Sequence, residues 1–203
     1  DGHEHIASAA SDYHFEYYKK HYDRLGFEKD IDWLEFRITF PDALPDKALR
    51  VAEIIKKRFG LTAIEFETRK ELSKYREQIF KVFNQAFEKL YGTYPLPDKL
   101  SHFYIDKYFK VLNPKFIKIV LDKENELAGF IVAMPSLSEG LQRAKGSILP
   151  FGWWHLKQSM KKTQVMDLML TGVRPEFQKM GLASLLMNDL WETAQKAGIK
   201  YVE

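Results

Sequence analysis

The chain contains no cysteine. That absence removes disulfides, thiolate zinc sites, iron–sulfur clusters and a cysteine nucleophile together, and it fits a reducing, cytoplasmic location. No apolar run approaches the roughly 18 residues that a membrane-spanning helix needs, so no span is expected. Neither sign of charge dominates. Against 31 Lys and Arg stand 28 Asp and Glu, a net charge of +3, too balanced for a surface devoted to nucleic acid, so no specific nucleic-acid partner is expected. The opening residues lack the basic-then-apolar order of a secretory leader, and residues 1–12 are assigned no role. His3 and His5 among them would chelate a metal only weakly, and no metal site is expected. Apolar and aromatic side chains are plentiful, at 45% and 14% of 203 residues. That is enough for a substantial core, and it excludes a disordered chain.

Periodicity organises the chain into an α/β pattern. Residues 13–25 have aromatic-rich helical spacing that stops at Gly26, and residues 33–40 alternate like a strand. Two prolines in Phe40-Pro41-Asp42-Ala43-Leu44-Pro45 forbid continuation, which makes this the best linker. Asp46 is placed to cap a helix that ends at Gly60. A short strand follows at 62–66, and then an amphipathic helix runs from Leu72 to Leu90. Helical spacing resumes over 98–112, and residues 116–121 and 127–134 read as an antiparallel hairpin around a polar turn. Residues 135–164 carry five Lys or Arg against Glu139 alone and read as two short helices around a Gly/Pro connector. A strand over 165–173, a helix over 181–197 and a nascent strand at 199–202 imply a parallel pair with a right-handed crossover.

The turn joining that last strand to its helix is where chemistry is expected. Leading N–H groups of a helix have no partner within it, and the helix dipole adds about half a positive charge there, so a phosphate finds both donors and field. Gly181 removes the Cβ that would block close approach, Ala183 and Ser184 keep the first turn open, and Lys179 adds a flexible cation.

The run Gln178-Lys179-Met180-Gly181-Leu182-Ala183 resembles the Gln/Arg-x-x-Gly-x-Gly/Ala motif of the GNAT acetyltransferase superfamily. Val173 and Pro175 stand where that family has the Val-x-Pro of its fourth strand. The upstream order of elements matches as well, so the resemblance covers about residues 61–203. It implies a mixed, partly antiparallel twisted sheet with flanking helices. There are two departures. Some thirty residues, 135–164, separate strands that follow closely in the family, and the family's last strand, helix and strand would lie beyond Glu203. His21-Tyr22-Asp23-Arg24-Leu25-Gly26-Phe27-Glu28 resembles the end of that later helix, and residues 33–40 resemble the closing strand. Residues 13–40 are therefore either the tail of a preceding domain of the same kind, with 41–60 as a linker helix region, or the elements that fill the vacant places in the sheet of 61–203. The corresponding association is a homodimer or intramolecular pairing with a second such domain.

What the resemblance implies is acetyl-coenzyme A, or another acyl-coenzyme A, as co-substrate. Its pyrophosphate would sit on Gln178, Lys179, Met180, Gly181, Leu182, Ala183 and Ser184, and its pantetheine along Thr171, Gly172 and Val173. The acceptor would be a small-molecule or peptide amine. Transfer needs a neutral amine and a carboxylate to take its proton. Asp167, six residues before Val173 and set in an apolar strand, is the candidate base; the alternatives are that it reaches solvent or pairs with a lysine. Tyr22 matches the tyrosine that protonates the departing thiolate, and it could equally pack on a helix face. The segment 135–164 is a lid over the acceptor, a membrane-surface or single-strand-binding helix, or a loop anchored to the core by Trp153 and Trp154. The other reading of the whole chain is a non-catalytic acyl-coenzyme A binding or regulatory module.

Overall fold

The structure, a computed structural model, describes residues 6–9, 11, 14–109 and 112–203. His3, His5 and the expected helix start at Tyr13 lie outside them. Six strands, β1 (Ile38–Thr39), β2 (Thr62–Ile64), β3 (Ile117–Leu121), β4 (Leu127–Pro135), β5 (Val165–Val173) and β6 (Tyr201–Val202), form one sheet in the order β1-β6-β5-β4-β3-β2. The β1–β6, β2–β3 and β3–β4 ladders are antiparallel, and β5–β6 is parallel. The helices are α1 (Tyr17–Arg24), α2 (Asp46–Phe59), α3 (Arg69–Ser73), α4 (Arg76–Phe87), α5 (Asp98–Tyr108), α6 (Ser138–Arg143), α7 (Gly152–Lys162) and α8 (Leu182–Lys196). This is the mixed α/β sheet that the sequence leads one to expect. The chain divides into two compact parts, one made of Asp1–Thr39, Pro135–Asp167 and Tyr201–Glu203, the other of Phe40–Met134 and Leu168–Lys200.

In the larger part, the β3–β4 hairpin is turned by Asp122, whose Oδ1 accepts the N–H groups of Glu124 and Glu126, each at 3.0 Å. Asn125 takes the left-handed conformation that the turn needs (φ 60°). Every residue of β3 is buried, because both faces of the strand are covered. Ile117, Ile119 and Leu121 point into a cluster with Phe66, Leu72, Ile79, Val82 and Phe130. A register shift between Val120 and Leu121 leaves Ala128 as the extra residue of β4, a bulge that keeps Leu127, Phe130 and Val132 in that same cluster. Lys118 is buried yet ion-paired to Glu65 at 2.8 Å.

The expected long helix from Leu72 to Leu90 is two helices. Thr68 and Glu71 form a reciprocal capping box that starts α3 early, and a turn at Lys74 and Tyr75 precedes α4, which ends at Phe87. Asp46 is not a cap: Pro45 holds that place, and Asp46 is the first residue of α2, with no side-chain bond to the helix end. Leu182, Leu185, Leu186, Leu190 and Ala194 are the buried stripe of α8. Its other side is tied to the chain before α2, where Trp191 Nε1 and Gln195 Nε2 donate to the Pro41 carbonyl at 2.9 and 3.2 Å.

In the smaller part, β1 pairs Ile38 with Val202 and Thr39 with Tyr201. Arg37 Nε donates to Glu203 at 2.7 Å beside that ladder. The expected strand over 33–40 is confined to those two residues. Trp33, Leu34 and Phe36 are exposed, and β-branched or aromatic residues without a neighbouring strand or layer do not hold an extended ladder. No residue of α1 is buried. The segment between β4 and β5 forms the two short helices expected. Its ends meet where Ser136 N–H donates to the Val165 carbonyl at 2.9 Å.

Candidate functional site

After β5 the chain passes through a single 3-10 turn at Pro175–Phe177 and enters α8 through Gly181. Pro175 supplies the fixed φ for the turn, and the N–H groups of Phe177 and Gln178 return to the carbonyls of Arg174 and Pro175. Lys179 and Gly181 both lie in the left-handed region, with φ of 64° and 85°. The φ of Gly181 favours glycine, and a Cβ there would also come within 2.5 Å of Ile55 Cδ1 on α2, so the end of that side chain would have to move. No side chain caps α8. Among the described residues the N–H groups of Gly181, Leu182, Ala183 and Ser184 have no acceptor, whereas Leu185 N–H reaches the Gly181 carbonyl at 3.1 Å.

Gln178, Lys179, Met180, Ala183 and Ser184 are exposed, and Leu182 is buried in the core. Gln178 does not extend freely, since its Nε2 donates to the Val173 carbonyl at 3.1 Å, which folds the turn back on β5. Thr171 Oγ1 is buried without a hydrogen-bond partner. Gly172 and Val173 are buried. A Cβ at Gly172 would meet the Phe130 ring at 2.5 Å, so this glycine serves core packing, and both residues can offer a ligand only their backbone.

An ion pair between buried Asp122 and part-buried Arg174 braces the turn. Arg174 Nη2 meets Asp122 Oδ2 at 2.6 Å, its backbone N–H donates to the Ala128 carbonyl at 2.9 Å, and its guanidinium lies over the Phe177 ring. Burial alone would raise the Asp122 pKa; the N–H groups of Glu126 and Glu124 and the Arg174 guanidinium overcome it and hold the carboxyl below its usual value. The stability this pair contributes is present above the ordinary Asp range and is lost as pH falls through the depressed value. Asp122→Ala leaves the part-buried guanidinium with only Glu176, whose Oε1 lies 2.9 Å from Arg174 Nε, so a loss of about 1.5–3 kcal/mol, that of one hydrogen bond between charged groups, is expected in urea unfolding at neutral pH. A midpoint within error of the parent would show that the pair does not brace the turn. Sequence reading missed both partners. The only local signal for Asp122 is an acid opening the polar turn of a hairpin, and nothing local links it to a residue 52 positions away.

Asp167, early in β5, is 2% exposed, and neither carboxylate oxygen has a hydrogen-bond partner. It neither reaches solvent nor pairs with a lysine among the described residues. Desolvation raises its pKa to about 6. The Ser136 hydroxyl beside it opposes the shift only in part, being directed to Ser138 Oγ at 3.2 Å, while the negative charges of Glu203 and Glu35 reinforce it. None of these neighbours could be read from spacing, since they come from three separate stretches of the chain. Tyr22, on α1, is exposed, and its ring meets Phe27 edge-on with centroids 5.6 Å apart.

Residues 76–203 match the acetyltransferase (GNAT) family. Protein YghO of Escherichia coli is 27% identical over 167 residues, covering 80% of this chain and 41% of that protein. A bacterial ceramide synthase of Caulobacter vibrioides is 23% identical over 163 residues, covering 77% and 40% respectively. The chain thus spans about two fifths of the length of these relatives. Among solved structures, a GCN5-related N-acetyltransferase from Sphaerobacter thermophilus superposes with a TM-score of 0.46 at 12% identity, covering 70% of this chain and 34% of the other.

Proposed function

Because the chain belongs to the acetyltransferase (GNAT) family, we propose that it binds acetyl-coenzyme A, or a related acyl-coenzyme A, and transfers the acyl group to an amine. The observation that carries this reading is the turn before α8, where four successive backbone N–H groups lack acceptors beside a glycine in the left-handed conformation. Such a cluster of donors at the positive end of a 15-residue helix suits a diphosphate. Lys179 adds a neutralising cation, and the orphaned Thr171 hydroxyl on β5 is the group to hydrogen-bond an amide of the pantetheine arm.

In the transfer, the amine lone pair forms the new C–N bond and the thioester C–S bond breaks, so the amine loses a proton and the thiolate leaves with the electron pair. Asp167, unpaired and with its pKa near 6, is ionised at neutral pH yet basic enough to take that proton. Tyr22, whose hydroxyl has no partner among the described residues, is the candidate to return a proton to the thiolate. A thiolate with an ordinary pKa near 8.5 leaves well unaided, so Tyr22→Phe is expected to slow transfer only about tenfold at neutral pH, read as thiol release. An unchanged rate would remove Tyr22 from the reaction. The Caulobacter relative's name is in keeping with nitrogen as acceptor, since a ceramide is an N-acyl amine. We place β1, paired with β6, as the strand that fills the sheet edge beyond residues 61–203.

Calorimetry with acetyl-coenzyme A tests the first half of the reading, and thiol release with a panel of amines tests the second. Absence of binding overturns the proposal. Binding without amine-dependent thiol release makes the chain an acyl-coenzyme A binding module instead of a transferase.

A further inference from the structure

We propose that α7 and the connector before it dock the chain on the surface of an anionic lipid bilayer, whether or not acyl transfer occurs. The connector does not turn its apolar residues inward. Ile148, Leu149 and Phe151 are 60, 76 and 71% exposed, and Trp153 and Trp154 about half. The backbone is nevertheless held. Ser147 Oγ donates to the Leu149 carbonyl at 2.7 Å, Trp153 Nε1 donates to the Pro150 carbonyl at 3.1 Å, and the Cβ-free face of Gly152 lies directly on the Ser147 carbonyl. An apolar loop fixed in an outward conformation resembles an interfacial anchor, not a loop that failed to pack.

Helix α7 continues the same surface. Its inner side is set by Gly140 of α6, where an added Cβ would meet Ser159 Cβ at 2.8 Å and the Leu156 Cα at 3.2 Å. The positions opposite Ser159, namely Trp153, Lys157, Met160 and Lys161 at i, i+4, i+7 and i+8, form one exposed stripe with Trp154 at its edge. Indole rings, a flexible thioether and lysine stems on one helix face match the boundary between headgroups and acyl chains. The charge is complementary to anionic headgroups. Lys145, Lys157, Lys161 and Lys162 have no ion-pair partner among the described residues, and the segment's one acid, Glu139, is already bonded to Arg143 at 3.2 Å. Single-stranded nucleic acid would use the indoles and lysines but would have no use for Ile148, Leu149 and Met160. A bilayer uses all of them.

The test is flotation of the chain with phosphatidylcholine vesicles, with and without phosphatidylglycerol, while following indole emission. The expected result is association and a blue shift with the anionic vesicles only, weakened by salt. Trp153→Ser with Trp154→Ser should reduce partitioning at least about tenfold, and Lys157→Gln with Lys161→Gln about fivefold for each lysine removed. Circular dichroism and thermal midpoints establish that the variants fold. The lysine pair is exposed and keeps the test intact if the tryptophan pair does not fold. No association with anionic vesicles, or association indifferent to both pairs, overturns the proposal. So does retention of a single-stranded oligonucleotide without vesicle binding, or a dimer that the tryptophan pair converts to monomer without vesicle binding.

Discussion

Asp167→Asn is expected to lower the rate of acyl transfer by about 10²–10³ while making the protein more stable at neutral pH. Both effects come from the same burial. Folding raises this acid's pKa from 3.8 to about 6, so the native state keeps a proton that the unfolded chain has already released. Its contribution to stability is therefore most favourable below about pH 4, falls as pH climbs to 6, and stays unfavourable above that. The cost at pH 7 is roughly 2–3 kcal/mol. Asparagine removes the charge and with it the slope between pH 4 and 6, which urea titrations across that range would measure. The acid limb of the pH–rate profile near 6 should disappear as well. If the variant keeps its rate and its limb, another group takes the amine proton. If it lacks the stability gain, the carboxylate is better solvated than its surroundings indicate. A gain in stability on removal of a group is the usual sign that the group is retained for what it does.

The second large effect is expected at Gly181. Gly181→Ala forces a Cβ into a left-handed conformation (φ 85°) and to within 2.5 Å of Ile55 Cδ1. The left-handed backbone alone costs about 1–2 kcal/mol, and relief of the clash would shift the first turn of α8. Affinity for acetyl-coenzyme A should fall about 10- to 100-fold, the equivalent of losing one hydrogen bond to a charged group. Two comparisons separate the causes. Adding Ile55→Ala to Gly181→Ala removes the steric part and leaves the backbone part. Gly198→Ala carries the same kind of backbone penalty (φ 75°) with nothing within 4 Å, so it should lower stability by about 1 kcal/mol without changing affinity. Unchanged binding by a folded Gly181→Ala would show that the diphosphate is not held at these amides.

The residues that the sequence marked well are those whose signal is local. Pro175 and Gly181 punctuate a strand-to-helix turn whatever surrounds them, and Leu182, Leu185, Leu186, Leu190 and Ala194 announce the buried side of α8 by spacing alone. Asp167 attracted notice because an acid stood in an apolar run. What spacing could not supply was the company these residues keep: Ser136, Glu203 and Glu35 around Asp167, and Asp122 beneath Arg174. Aromatic content misled where burial decides the outcome. Trp33, Leu34 and Phe36 have strand propensity but no layer to lie against, and Trp153 and Trp154, for which anchoring to the core was one of the alternatives, are about half exposed. Propensity describes what a residue tolerates; a partner decides what it does. The break in the expected helix at Lys74 and Tyr75 belongs to a third kind. The capping box at Thr68 and Glu71 is a local signal, but an apolar stripe that continues unbroken through Lys74 and Tyr75 masks it.

The hydrogen bond from Ser136 N–H to the Val165 carbonyl has a consequence for how this chain could have arisen and could be altered. Because the two ends of the helical excursion already touch, a tight turn could replace everything between them at little entropic cost, since closing a loop whose ends are adjacent requires no new approach. The α6–α7 pair is in that sense a cassette: it can be exchanged for a shorter or differently charged one while the strands on either side keep their ladders, so the exposed surface it carries can diversify without β5 being rebuilt.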